Sequence, residues 1–195
     1  MSGLSFWYQN WAKVGFISAI FILLLLFLNS KAPIGSFEWL YWLSLPLYMF
    51  HQFEEYVYPG GFKKELNKIL SREEGFREIL TDNIVLVVNV GFIWILTPIL
   101  IVLNTISIIF PVILMTLVAF NGFTHVIVSI ILKRYNPGLI MSIVANIPLG
   151  LYVLIGLGLS ALASSFELVI GIVAGSLLHI ALFIFLRLRI QKGKN

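Results

Sequence analysis

The stretch LYMFHQFEEYVYPGGF, residues Leu47–Phe62, sets one histidine and two adjacent glutamates in an otherwise apolar run. These residues are His51, Glu54 and Glu55, and no basic residue accompanies them. Ionisable side chains in apolar helices are costly, usually face the interior of a helix bundle, and mark functional sites. The stretch therefore predicts a helix with a buried polar face, whose partners lie elsewhere in the chain.

The composition is that of an integral membrane protein. Of the 195 residues, 59% are hydrophobic and only 11% are charged, and the mean hydropathy is +0.99. A soluble domain of this length could not bury so much apolar surface. The absence of cysteine excludes disulfides and thiolate metal sites. The net charge of +4 is explained by basic residues flanking membrane segments rather than by a nucleic-acid partner.

Apolar segments of about 20 residues, long enough to cross a bilayer, recur along the chain. They predict an all-α polytopic membrane helix bundle of about six transmembrane helices, forming a single integral membrane domain over residues 1–195. The predicted spans are Trp11–Leu28, Phe37–Tyr58, Ile84–Val102, Ile108–Leu132, Leu139–Leu159 and Phe166–Leu186.

The segment between the second and third spans predicts an amphipathic connecting helix. It reads GGFKKELNKILSREEGFREILTDN, and its apolar residues recur near helical spacing with charged residues between them. Such a helix is expected to lie in the plane of the membrane interface. A solvated connecting loop is the alternative.

Basic residues indicate the orientation of the bundle. With six spans, twelve of the thirteen Lys and Arg residues fall on one side of the membrane, and Lys31 is the exception. Because Lys and Arg are enriched in cytoplasmic loops, both termini and the amphipathic helix are predicted to be cytoplasmic.

Polar residues of five predicted spans share one depth. His51, His125 and His179 each lie eight residues before the predicted cytoplasmic end of a span, which corresponds to about 12 Å along a helix. Asn89 and Asn146 lie at a similar distance after the starts of the third and fifth spans. A single intramembrane His or Asn often serves only helix packing, but the convergence of five such residues favours a shared functional site.

Three imidazoles with a nearby carboxylate predict a site for a divalent metal ion. These ligands suit zinc, and imidazole also suits iron, copper and nickel. The predicted ligands are His51, His125 and His179. If a metal activates water, Glu54 or Glu55 is the expected general base, and spacing alone leaves open which of the two faces the site. A further set of residues is expected to orient the ligands or to stabilise an oxyanion, namely Asn89, Asn121 and Asn146.

Three functions are compatible with this pattern. The first is a metal-dependent membrane hydrolase that acts on a lipid or a membrane peptide. The second is a small-solute or proton-coupled transporter, and the third is a structural membrane protein whose polar layer holds helices together. In each case the expected partner is the lipid bilayer.

HQFEE at His51–Glu55, followed by YVYPGGF, resembles the HXXEE-motif family of bacterial multi-pass membrane proteins. The resemblance extends to Asn89, to NGFTH at Asn121–His125, to YNPG at Tyr135–Gly138 and to His179. It implies a multi-pass protein of the bacterial cell (inner) membrane, and it implies no particular reaction.

Overall fold

The computed structural model of the protein describes residues 3–71 and 78–192. Within these ranges the chain is all-α and contains no strand, which confirms the predicted fold class. The described helices are α1 Gly3–Asn29, α2 Phe37–Tyr56, α3 Phe62–Ser71, α4 Asp82–Thr105, α5 Ile109–Leu132, α6 Leu139–Leu159 and α7 Ser165–Lys192.

Five of the described helices are long and apolar enough to cross a membrane, namely α1, α4, α5, α6 and α7. The prediction of about six spans is close to this number. The remaining predicted span corresponds to α2, which has 20 residues but is less apolar because its second half carries His51, Gln52, Glu54 and Glu55.

The polar helix α2 lies inside the bundle. It contacts α1, α3, α4, α5 and α6, and eleven of its 20 residues are buried. A helix surrounded by protein can carry polar groups because neighbouring helices, rather than lipid, cover them. Towards its N-terminal half α2 packs into the largest apolar core, which includes Tyr41, Val112, Met115, Val153 and Leu157.

The end of α2 follows from the YPGG sequence that comes after it. The backbone N–H groups of Val57 and Tyr58 donate to the carbonyl of Phe53. Gly60 and Gly61 then have φ values of +71° and +96°, a left-handed region that glycine enters without steric cost. These residues stop α2 at the level of its glutamates and turn the chain into α3.

The predicted amphipathic helix is confirmed over Phe62–Ser71, and its continuation through residues 72–77 lies outside the described residues. Three of its apolar side chains, Phe62, Leu66 and Ile69, line a cavity inside the bundle. The helix therefore covers the interior with its apolar side.

Ion pairs tie α3 to the ends of its neighbours. Glu65 accepts a hydrogen bond from Arg134, in the loop between α5 and α6. The Lys63 ammonium pairs with Glu78 at 2.8 Å and with Asp82 at the start of α4. Partial burial opposes the charge on Lys63, but the hydrogen bonds to Asp82 and Glu78 outweigh it and raise the pKa of the ammonium. The end of the bundle that holds the polar residues of α2 is thus cross-linked by charged groups.

Two of the long helices contain π-helical segments, over Val87–Trp94 in α4 and Ser142–Asn146 in α6. These segments hold Asn89 and Asn146, which are both buried. π-Helical turns within α-helices occur frequently at functional sites. The two predicted asparagines therefore lie where the helical backbone departs from regular geometry.

Candidate metal centre

The first two members of the site come from one face of α2. His51 and Glu55 are four residues apart, so their side chains lie one turn apart on the same face. The Nε2 atom of His51 is 3.6 Å from the Oε1 atom of Glu55, and both residues are buried. Because α2 runs through the interior, this face is turned towards other helices and not towards lipid.

His125 of α5 completes the group. Its Nε2 atom lies 3.2 Å from the same Oε1 atom of Glu55, and its ring centroid is 4.7 Å from that of His51. One potential ligand atom from each of the three residues lies within 4.8 Å of the other two. Two imidazoles and one carboxylate therefore converge on a single buried point.

The imidazole of His51 makes no hydrogen bond of regular geometry within the described part of the chain. Its ring is completely buried, at 0% exposure, and the backbone of Gly138 and the side chain of Asn121 are close enough for weak hydrogen bonds to it. The 3.6 Å separation from Glu55 is too long for one. The Oδ1 atom of Asn121 is likewise buried without a hydrogen bond of regular geometry. Buried polar atoms are almost always well paired in proteins, so the incomplete pairing of these atoms leaves room for a ligand.

Asn136, in the loop between α5 and α6, holds the other side of the His125 ring. Its amide Nδ2 atom is 2.9 Å from Nδ1 of His125, and the residue is buried. With Nδ2 donating to Nδ1, the Nε2–H group of His125 points at Glu55. If the amide is turned over, Oδ1 accepts the Nδ1–H group and the Nε2 lone pair becomes free for a ligand. The orientation of an amide is assigned from its hydrogen bonds, and either one fixes the tautomer of His125.

Gly138 closes the site from the same loop. Its φ is +97°, and a Cβ atom added to it would lie 2.7 Å from the Cε1 atoms of both His51 and His125. The backbone can approach the two rings this closely only because glycine has no side chain. The loop therefore packs directly on both imidazoles.

The adjacent carboxylate, Glu54, has a different role in the structure. It points away from Glu55, as expected for neighbours about 100° apart on a helix. Its Oε1 and Oε2 atoms accept hydrogen bonds from the backbone N–H groups of Ile140 and Met141, at 2.9 and 2.7 Å, and Tyr135 donates to Oε1 at 2.6 Å. Glu54 thus satisfies free N–H groups at the start of α6, where a negative charge is favourable.

Tyr135, which lies outside the predicted spans, is affected by its hydrogen bond to Glu54. Partial burial of its hydroxyl group, and then the hydrogen bond to Glu54, raise the pKa of Tyr135 well above its ordinary value. The hydroxyl therefore stays protonated and keeps donating to Glu54. The pair anchors the loop that carries Asn136 and Gly138 onto α2.

Comparison with protein families places the chain in a family. A family model described as a protein of unknown function with HXXEE motif matches residues 42–153, which is more than half of the chain. The chain belongs to this family. No curated protein and no solved structure matches it.

The HXXEE match includes the motif His51–Glu55, His125, and the loop residues Asn136 and Gly138. His179, which the resemblance also included, lies beyond the matched residues. The segment that the family model covers is therefore the segment that holds the three converging side chains and the loop against them.

The structure does not bring His179 into the group of His51, Glu55 and His125, although it was predicted as a metal ligand. Its Nε2 atom lies 3.1 Å from the hydroxyl oxygen of Thr124 on α5, and it lines a cavity that also reaches Glu55 and His125. Equal depth along the helix axes is thus not enough to bring side chains together, because the rotation of α7 about its axis directs His179 to Thr124.

The three predicted asparagines have different surroundings. Asn121 lies beside His51, as described above. Asn89 belongs to a separate chain of hydrogen bonds in which Trp94 donates to Gln52, Gln52 donates to Asn89, and Asn89 donates to the carbonyl of Val85. Asn146 is fully buried, and neither its Nδ2 nor its Oδ1 atom has a partner within the described residues.

A cavity of about 150 Å³ adjoins Glu55 and His125, two of the three converging residues. It lies between α2, α3, α4, α5 and α7, and Glu55, Asn121 and His125 form part of its wall. Most of its lining is apolar. Glu55 and His125 are therefore reached from an apolar chamber inside the bundle, whereas His51 is not among the residues that line it.

Sequence reasoning did not predict the contacts of Tyr135, Asn136 and Gly138 with Glu54, His125 and His51. The motif YNPG was noticed only as part of the family resemblance, and no role was given to its residues. Helical periodicity carries no information about a loop, so only the Gly in YNPG, a residue suited to a positive φ, could have indicated that the backbone makes a close approach there.

Proposed function

We propose that the protein is a metal-dependent membrane enzyme, a hydrolase whose reaction centre is the His51–Glu55–His125 group. The observation that carries this proposal is the convergence of two imidazoles and a carboxylate on one buried point beside an apolar chamber. A packing layer needs its polar groups well paired with each other, whereas neither nitrogen of His51 makes a hydrogen bond of regular geometry within the described residues.

The spacing of the donor atoms fits a small divalent ion. Ligand atoms about 2.0–2.1 Å from a tetrahedral ion lie roughly 3.3 Å apart. The Oε1 atom of Glu55 is 3.2 Å from Nε2 of His125 and 3.6 Å from Nε2 of His51. Two histidines and one carboxylate are a known ligand set for catalytic zinc, which leaves a fourth position open for water or substrate. Zinc is the first ion to test, and imidazole ligands also suit iron, copper and nickel.

A bound divalent ion would supply a Lewis acid and make water a nucleophile near neutral pH. In ester or amide hydrolysis the hydroxyl of water then bonds to the acyl carbon. The bond from that carbon to its oxygen or nitrogen leaving group breaks, and the leaving group takes the proton that water gives up. Glu55 would hold the ion through Oε1, the oxygen that faces both imidazoles, and its second oxygen, Oε2, would be the carboxylate atom that carries this proton.

Glu54 supports the reaction only indirectly in this proposal. It accepts three hydrogen bonds from Tyr135, Ile140 and Met141. These bonds occupy the carboxylate at the start of α6, where its negative charge is favourable. Its role is to hold the loop over His51 and His125. The two glutamates of the motif therefore divide the work, one at the reaction centre and one at the helix end.

The proposed location is the bacterial inner membrane, with both termini in the cytoplasm. Five helices apolar enough to cross a membrane support a membrane protein, and the distribution of Lys and Arg supports this orientation. The reaction centre would then lie inside the membrane near its cytoplasmic side.

The test is a hydrolysis assay on the full chain in lipid nanodiscs, with a fluorogenic long-chain acyl ester and a fluorogenic apolar peptide as probes. Hydrolysis of one probe should disappear on chelation and return on addition of Zn²⁺. Glu55→Gln should lower the rate by about 10²-fold or more, whereas Glu38→Gln, at the other end of α2, should leave it unchanged. Hydrolysis that survives complete chelation would contradict the proposal, and so would solute flux into vesicles by a preparation that hydrolyses neither probe.

A further inference from the structure

We propose that the cavity beside the three converging residues is a binding site for one hydrocarbon chain of a lipid, with the polar group of that lipid held at Glu55 and His125. The chain site is inferred from the cavity alone, and the placement of the polar group rests on the proposed function. The substrate class would then be a membrane lipid with a hydrolysable bond close to its acyl chain.

The shape of the cavity is that of an extended chain. Its wall on α4 runs from Val85 to Leu100, and its wall on α5 runs from Leu114 to Val128. At about 1.5 Å per residue, each of these stretches is roughly 20 Å long. The cavity is thus a narrow chamber parallel to the helices, with a volume of only about 150 Å³.

Polarity is divided between the two ends of this chamber. The end near α3 contains nearly all of the polar lining, including Glu55, Asn89, Asn121, His125, Asn136 and His179. The other end is lined by Ile93, Leu96, Leu100, Leu114, Leu117 and the hydroxyl-bearing Thr97. A polar end joined to an apolar end matches a polar head joined to a hydrocarbon chain.

The apolar end favours a lipid over a membrane peptide. A peptide brings backbone N–H and C=O groups that need partners when they are buried. Among the described residues, Tyr48 and Thr97 bring the polar side-chain atoms to that end of the lining, which are too few for the backbone of a peptide. A hydrocarbon chain needs no partner, and an apolar cavity of this size can hold a small apolar group.

The chamber also has a route to the bilayer. Phe92 of α4 and Leu178 of α7 line it and are 39% and 41% exposed. Both helices are apolar enough to cross a membrane. A lipid chain could therefore enter sideways between α4 and α7 without passing through water.

Photo-crosslinking of the full chain in nanodiscs tests this inference. The probe is a single-chain phospholipid with a diazirine at the end of its acyl chain, and adducts are located by mass spectrometry. Adducts are expected on Leu96 and Leu117 at the apolar end as well as on lipid-facing Ile99 and Ile127. Excess unlabelled single-chain phospholipid should remove the first set and spare the second.

Matched variants make the result specific. Leu117→Trp, which fills the chamber, should abolish the adduct on Leu96, and the milder Leu96→Phe should reduce the adduct on Leu117. Ile127→Trp, on the outer side of α5 with 53% exposure, should leave both adducts unchanged. Adducts inside the chamber that neither competitor nor filling variant reduces would overturn the chain site, as would exclusive labelling of the chamber by a diazirine-bearing apolar peptide.

Metal content separates this inference from the proposed function. His51→Gln should lose the metal and keep the adducts inside the chamber, because the chain site does not depend on the ion. Protein that binds metal and shows no adduct inside the chamber would refute the chain site and leave the metal centre standing. Protein that shows these adducts and never binds metal would refute the metal centre and leave the chain site standing.

Discussion

Replacing Gly138 by alanine tests how closely the α5–α6 loop fits the two imidazoles. Gly138 has a φ of +97°, and a Cβ atom there would lie 2.7 Å from the Cε1 atoms of both His51 and His125, against 3.4 Å for ordinary van der Waals contact. The rings must therefore move by several tenths of an ångström. Metal-ligand distances tolerate only about 0.2 Å, so Gly138→Ala should weaken metal binding.

Gly61→Ala is the matched control for backbone strain. Gly61 has a φ of +96°, and nothing lies within 4 Å of the position that its Cβ would take. Both substitutions force alanine into a left-handed conformation, which costs about 1–2 kcal/mol of folding free energy. The difference between the two variants therefore isolates the collision with His51 and His125.

The assay is competition for Zn²⁺ with a chelator in nanodiscs, together with thermal unfolding of the metal-free proteins. Gly61→Ala should lower stability and keep the affinity of the native protein. Gly138→Ala should lose at least the roughly 10–100-fold in affinity that follows damage to groups that orient metal ligands. Equal affinities in the two variants would refute the reasoning, because the loop would then not position the rings.

Three further experiments test other parts of the structure. Glu54→Gln should lower the unfolding free energy of the metal-free protein by about 1.5–3 kcal/mol, because the hydrogen bonds to Glu54 are made to a charged acceptor. Glu55→Gln should remove the metal with little loss of stability. The opposite pattern would make Glu54 the metal ligand and Glu55 the structural residue. Asn136→Leu should weaken metal binding by about 10–100-fold. Asn136→Asp should keep the native affinity, because its carboxylate can accept the Nδ1–H group of His125. If neither variant changes the affinity, Asn136 does not orient His125. Reporter fusions at Ala32 and Gly75 should read opposite sides of the membrane, since a common side would mean that α2 does not cross it.

The sequence predicted the helices well because their apolar runs are long and are separated by clear turn residues. It also predicted that His51 and His125 meet, because residues at equal distances from the same membrane surface share a level in the bundle. The π-helical segments of α4 and α6 were not predictable, since an apolar run has the same composition whether its turns are α or π.

The depth of a residue in the bundle does not say to which side of its helix the side chain points. This is why His179 was expected beside His51 and instead faces Thr124, and why Glu54 could not be told from Glu55. The contributions of Asn136 and Gly138 depend on the path of a loop, for which hydrophobic periodicity gives no information. The unpredicted part of the site is therefore the part that tertiary packing determines.

Elemental analysis of the purified protein tests the central claim most directly. The wild-type chain and His179→Gln, prepared with Zn²⁺ and then freed of loosely bound ions, should each retain about one ion per chain. His51→Gln and His125→Gln should retain almost none while remaining folded. Wild-type protein without a stoichiometric ion, or His51→Gln with a full complement, would contradict the proposal that His51, Glu55 and His125 form a metal centre.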